Sequence, residues 1–292
     1  MNGLPQVEWE ALHAQLQTLD PAVWNSAVRA WLIELTRALG SPYTLTDTQN
    51  IAIVSAFDRN EADDTARFVR RSLAQIRVAL GPLCGDDDEY VRVVLLFADS
   101  DRMYDYACHY FPEVGRWGSA GGMLIRSGYF HIVLTGSVRH ALRAMLAHEL
   151  THLMLSDRSL PVWLEEGFTQ AMEEWITGAS SFHVDREIVE RHQECWRRHG
   201  LQGYWEGEEF GASDERQELA YHLSQMIVRT GLADRPKAFL EFAREATWED
   251  CGAAAAKAHL GESLGHLAAR CLGPGDWEPP PRTNELSASQ DG

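Results

Sequence analysis

Several things are scarce or missing in this sequence, and each absence excludes something. No apolar run approaches the ~20 residues that a membrane-spanning helix needs. Cysteine occurs five times, as Cys84, Cys108, Cys195, Cys251 and Cys271, with no C-x-x-C pair. An odd, scattered set fits neither a disulfide framework nor a zinc ribbon; reduced thiols in a cytosolic protein account for it most simply. Basic residues are in deficit, 26 Lys and Arg against 43 Asp and Glu, a net charge of −17. That argues against nucleic acid or an anionic membrane as main partner, since both call for a basic surface. It would suit cationic partners, although acidity is also an ordinary solubility feature. Residues Met1 to Glu8 show neither a basic stretch nor an apolar core of a signal peptide, so none is expected and a cytoplasmic location is. No internal repeat is evident.

What is present is enough for a core: 45% hydrophobic and 10% aromatic residues in 292, room for one large or two small domains. Residues 6–39 read as helical. Trp9, Leu12, Leu16 and Leu19 recur at helical spacing; Asp20-Pro21 opens a second helix with Trp24, Val28, Trp31, Leu32, Leu35 and Leu39 on one face, and Gly40 and Pro42 end it. Tyr43 to Phe57 alternates and is rich in β-branched residues, a strand or hairpin. Asn60 to Leu80 is a helix striped by Ala62, Ala66, Val69, Leu73, Ile76 and Leu80. The acidic run Asp86 to Glu89 is a solvated loop, because it lacks the spacing and glycine of a calcium loop. Tyr90 to Ala98 is the most apolar strand and is placed centrally; Asp99 to Tyr110 follows as a helix. Trp117 to Gly122 is a flexible turn, and Met123 to Arg126 with Tyr129 to Leu134 form a hairpin about Ser127-Gly128.

The chemistry sits in the next helix, residues 138–155, capped by Ser137. It carries His148-Glu149-Leu150-Thr151-His152. Four residues apart on a helix, the two imidazoles project from one face, the spacing that holds one zinc ion; the Glu between them is placed to take a proton from a metal-bound water. Ala141, Leu142, Met145, Leu146, Leu150, Leu153 and Met154 make nearly all sides of this helix apolar, which implies burial. Buried His and Glu need partners, and a metal supplies them. Catalytic zinc takes three protein ligands. After residues 156–160, Pro161 opens a second helix from Val162 to Ile176, and a helix-turn-helix return would bring Glu165 or Glu166 back to the histidines.

His148-Glu149-x-x-His152 followed by Trp163-Leu164-Glu165-Glu166-Gly167 resembles the gluzincin metallopeptidases, the thermolysin and aminopeptidase lineage, and most of all their small peptidase-MA-like domains. The resemblance covers about 40 residues, from Arg139 to Ile176. It implies an α+β zincin domain with a small mixed or antiparallel sheet packed on the H-E-x-x-H helix and a mostly helical C-terminal part. The implied divisions are an N-terminal helical segment (1–40), the sheet with the active-site helices (41–177), a helical subdomain (178–273) and a disordered tail (274–292). It implies Zn²⁺ held by His148, His152 and Glu166, with Glu149 as general base. An edge strand within Gly121 to Leu124 or Tyr129 to Val133 would border the substrate cleft. A downstream Tyr or His would steady the oxyanion, with Tyr221 the first candidate and His222 the second; Tyr221 as a half-buried helix aromatic is the plain alternative. Glu165 and Gln170 are candidates to hold the free nitrogen of a ligand histidine. In thermolysin-like enzymes the residue four positions after the zinc Glu is acidic; here it is the neutral Gln170.

Beyond this core, Asp185 to His199 reads as a polar helix whose His192 and His199 are solvated. Gly200 to Gly211 reads as a loop in which Tyr204, Trp205 and Phe210 line a pocket or pack as a lid. Glu215 to Thr230, Arg235 to Ala246, Cys251 to Leu260 and Ser263 to Leu272 are helices, and Gly273-Pro274-Gly275 ends the fold. Competing zinc patterns fail. A metzincin needs Gly at 155 and His at 158, where the chain has Leu155 and Arg158. An SprT-like protease brings a third His and often a basic ribbon, absent here. Gly121-Gly122-Met123-Leu124-Ile125 lacks the Glu that aminopeptidases use for a free amino terminus, which tilts toward endopeptidase action or specialised processing of a peptide or protein. The alternative is a non-catalytic zinc-binding or regulatory protein; the presence of Glu149 speaks against it.

Overall fold

The structure, a computed structural model, describes residues 3–5, 7–15, 20–85, 89–111, 121–136, 139–179 and 182–279, without the side chains of 13, 15 and 139–141. The expectations for Asp86 to Asp88, 117–120, the Ser137 cap and 280–292 lie outside them. The chain divides into two compact units, Met1–Leu155 with Met172–Gly178, and Ser156–Ala171 with Ala179–Gly292. Residues 1–40 share a unit with the sheet.

The first unit begins with α1 (Trp9–Gln15) and α2 (Pro21–Leu39). Asp20 caps α2 by accepting from the Ala22 amide, and Pro21 stands where a missing N–H costs nothing. The hairpin β1 (Thr44–Thr48) and β2 (Ile51–Ser55) turns through Gln49-Asn50, with Gln49 left-handed at φ 56°. Helix α3 (Arg59–Leu80) crosses to β3 (Arg92–Phe97), then come α4 (Ser100–Ala107), β4 (Gly122–Ile125), β5 (His131–Thr135) and α5 (Arg139–Leu155). The sheet is mixed, in the order β1-β2-β3-β5-β4: β2, β3 and β5 run parallel, while β1 and β4 are antiparallel edges.

A strand covered on both faces must be apolar at every position, and β3 is: Val93 to Phe97 are all buried. Its odd residues join Ala52, Val54, Met123, Ile125 and Val133 in one core with Trp31, Leu32 and Leu35 of α2 and Met103 and Tyr106 of α4. The opposite face, with Ile53, Val94, Leu96, Ile132 and Leu134, lies under α3 and α5. The result is helices on both faces of a small sheet, an α+β architecture. Helix α5 comes close to the edge strand because β4 begins with glycine. A Cβ on Gly122 would stand 2.2 Å from Leu134 Cδ2 and 2.9 Å from Met145 Sδ, and one on Gly121 2.6 Å from Met145 Cε.

The second unit is helical. It holds the start of α6 (Val162–Thr177), then α7 (Arg186–His199), α8 (Gln202–Glu206), α9 (Glu215–Asp234), α10 (Pro236–Glu245), a short α11 (Ala253–Ala255) running into a π-turn, and α12 (Leu264–Leu272). Three expectations need correction. Residues 200–211 are helical rather than a loop, as α8 and a 3-10 turn (Glu208–Gly211), and Tyr204, Trp205 and Phe210 are buried. Hydrogen bonds explain the burial of the first two: Trp205 Nε1 donates to Trp277 O (2.7 Å) and the Tyr204 hydroxyl pairs with Ser224 Oγ (3.0 Å). Order continues past Gly275. Trp277 is buried and Glu278 accepts from Ser263 and the Gly265 amide, so 274–279 are not a disordered tail. His192 is buried rather than solvated.

One titratable group in the first unit that burial holds neutral is His131, 1% exposed. His131 donates from Nδ1 to Tyr129 O (2.6 Å) and accepts at Nε2 from the Tyr106 hydroxyl (2.8 Å). Burial pushes its pKa down to about 4. The unfolded chain therefore binds a proton near pH 6.5 that the folded chain takes up only near pH 4. Stability is fully present above pH 6.5 and falls as the pH drops through that window, by about 3 kcal/mol for this group. Urea unfolding measured across pH 7 to 4 should show that loss, and His131→Gln should flatten the slope by about one proton's worth.

Candidate metal centre

Helix α5 explains why a polar motif can stand in an apolar setting. Leu146, Ala147, Leu150, Leu153 and Met154 are buried, and the Thr151 hydroxyl returns to the Ala147 carbonyl at 2.9 Å, which satisfies it within the helix. One face remains for His148 and His152. Their ring centroids are 4.9 Å apart and their planes 70° from parallel, as i and i+4 neighbours. Glu149 is 8% exposed.

Among the described residues one group of three could hold a metal ion: ligand atoms of His148, His152 and Glu166 all lie within 4.8 Å of one another, and each residue is half-buried. Glu166 Oε2 is itself enclosed. Two imidazoles and a carboxylate make the three-ligand set of a catalytic zinc site, which leaves a position open. Imidazole also suits other late divalent ions, so the donor set fits Zn²⁺ without selecting it alone. Of the two acidic neighbours, Glu166 and not Glu165 is in that group.

The W-L-E-E-G stretch owes its other letters to packing. Trp163 and Leu164 are fully buried; Trp163 Nε1 donates to Cys251 O (3.0 Å) and its ring meets Trp205 edge-on. Gly167 is where α9 touches α6. A Cβ there would lie 2.6 Å from Val228 Cγ2 and 2.7 Å from the Ser224 carbonyl oxygen, so only glycine fits beside Glu166.

Sequence reasoning missed one residue of the centre. The carboxylate set against His148 Nδ1 is Glu173, with Oε2 at 3.3 Å. A signal existed: Glu173 is seven residues, two turns, past Glu166 and so on the same face of α6. A carboxylate on Nδ1 holds the proton there and turns Nε2 toward a metal. Of the earlier candidates, Gln170 accepts at its backbone carbonyl from the Gln225 side chain (3.4 Å), and Glu165 at its backbone carbonyl from the Thr169 hydroxyl (2.8 Å).

Tyr221 and His222 lie outside the three-residue group. The Tyr221 ring, half-buried on α9, meets Phe210 edge-on at 5.1 Å. His222 is committed elsewhere. Its Nδ1 pairs with His192 Nε2 (2.8 Å) and its Nε2 with His183 O (3.0 Å), while Trp196 Nε1 donates to His192 Nδ1 (3.0 Å). Burial, then the neighbouring His222 and Arg191, push His192 down to about 3; burial foremost also lowers His222.

No protein-family model and no curated protein matches the chain.

Two substitutions separate holding the metal from holding the fold. Glu173→Gln should weaken Zn²⁺ binding at least about tenfold in a chelator competition, with the unfolding transition of the metal-free protein unchanged. Gly167→Ala should cost about 1–3 kcal/mol in urea unfolding because it meets backbone, and should leave the three donors in place.

Proposed function

We propose that the protein is a zinc-dependent metallopeptidase of gluzincin type, hydrolysing peptide bonds in a peptide or protein substrate by endopeptidase or specialised processing action. The convergence of His148, His152 and Glu166 next to Glu149 carries this reading. Zinc bound there would supply a Lewis acid for the scissile carbonyl and lower the pKa of a water. The remaining roles belong to the chain. Glu149 takes the proton of the attacking water and delivers it to the departing amine nitrogen, a shuttle suited to a carboxylate largely shielded from bulk solvent. Glu173 keeps the His148 proton on Nδ1 and the ring in place. The Tyr221 hydroxyl is the donor assigned to the developing oxyanion; His222, with both ring nitrogens engaged, is set aside for that task. The acidic surface speaks against nucleic acid as partner, and among the described residues no helix is long and apolar enough to cross a membrane.

Metal analysis paired with a casein cleavage assay tests the proposal. Wild type and Glu149→Gln should each carry one equivalent of zinc, while cleavage falls roughly 10²–10⁴-fold in the variant. Zinc in both proteins with no cleavage of a broad peptide library by wild type would leave a zinc-binding protein without catalysis. No zinc at neutral pH in the absence of chelator would sink the metal centre altogether.

A further inference from the structure

A cavity of about 370 Å³ in the first unit combines aromatic walls with carboxylates. Trp9, Trp31 and Tyr110 line it, and so do Glu8 and Glu10. All five residues belong to the first unit.

The fold assembles these walls from separate elements. Trp9 opens α1 and Trp31 lies buried on α2; their ring centroids are 5.7 Å apart and their planes 88° from parallel, so the two rings form a corner. The β4–β5 turn closes on that corner. A Cβ on Gly128 would stand 2.5 Å from Trp9 Cδ1, so the turn backbone lies directly against the indole. Tyr110, just past the end of α4, and Trp31 both pack on His131, with centroids 5.4 and 5.3 Å from its ring. Burial keeps His131 neutral at pH 7, so the imidazole behind these two rings carries no positive charge. Glu8 and Glu10 stand on either side of Trp9 in the chain, are exposed, and pair with no described cation.

An aromatic face attracts a cation through the ring quadrupole, and tryptophan does so most strongly. A primary ammonium is a compact, strongly hydrated charge that needs hydrogen-bond acceptors. A fully methylated ammonium has no N–H and presents an apolar surface, so aromatic walls suit it better. Two nearby carboxylates balance its charge, and the chain's net charge of −17 draws cations toward it. A cavity of this size admits a small molecule.

We infer that this cavity binds a small quaternary ammonium compound, its cationic head against Trp9, Trp31 and Tyr110 and its charge balanced by Glu8 and Glu10. The inference does not depend on the peptidase proposal.

Titration calorimetry of the full chain with choline tests it. His109 also lines the cavity, so the titration is run at pH 8. Two comparison ligands are the uncharged isostere of choline, in which a tert-butyl group replaces trimethylammonium, and ethanolamine, its unmethylated counterpart. Saturable binding of one equivalent of choline is expected, with both comparison ligands at least about tenfold weaker. Tyr110→Leu should weaken choline by about tenfold, and Tyr110→Phe, which keeps a ring, should bind it as wild type does. The double variant Glu8→Gln with Glu10→Gln should weaken choline by about threefold with the ligand-free unfolding temperature unchanged. Both glutamates are exposed, so if Tyr110→Leu fails to fold, the double variant decides. The inference is overturned by no saturable choline binding at millimolar concentration, by equal binding of either comparison ligand, or by variants that bind choline as tightly as wild type.

Discussion

The molecule depends on a close approach. Helix α5 lies against a sheet edge at which two consecutive residues, Gly121 and Gly122, have no side chain, and Met145 occupies the space that their Cβ atoms would need. That packing surrounds α5 with apolar neighbours and fixes which way its remaining face points. Polar groups in such a position are costly unless they are satisfied. Thr151 is satisfied inside the helix, His148 faces Glu173, and His148, His152 and Glu166 gather their ligand atoms into a small volume. The donor set thus follows from burial as much as from the five-residue motif.

Much of this was legible because it was local and periodic. The stripe on α2 and the cap at Asp20 follow from 3.6-residue spacing and side-chain chemistry. The central place of β3 follows from its unbroken apolar run. Glu166 was singled out only by family resemblance, since spacing alone left Glu165 open. What escaped was set by partners distant in sequence. Tyr204 and Trp205 read as loop aromatics because their hydrogen-bond partners, Ser224 and Trp277, lie 20 and 72 residues away. His192 read as solvated because its helix is strongly polar overall; the buried side of that helix is narrow, and a histidine was placed on it. Trp277 follows a Gly-Pro-Gly stop signal, and no pattern announces that one aromatic beyond it returns to the core.

Two kinds of glycine show the same limit. Gly167 is required by contact with the backbone of α9, far along the chain, whereas Gly40 and Gly178 adopt positive φ at the ends of α2 and α6 with open space where a Cβ would stand. Only the second kind can be recognised from local sequence. The W-L-E-E-G stretch therefore mixes two sorts of information: Glu166 is in the group that could hold a metal ion, while Trp163 and Gly167 are there for volume.

The contact among Trp196, His192 and His222 has a direction. An indole N–H can only donate, so His192 must accept at Nδ1 and carry its proton on Nε2; His222 must then accept at Nδ1 and donate from Nε2 to the His183 carbonyl. Each tautomer is dictated by the one before it. The row behaves as a wire with fixed polarity, in which no group can change its proton alone, and the orientation of one tryptophan on α7 is transmitted through two rings to the backbone ahead of that same helix.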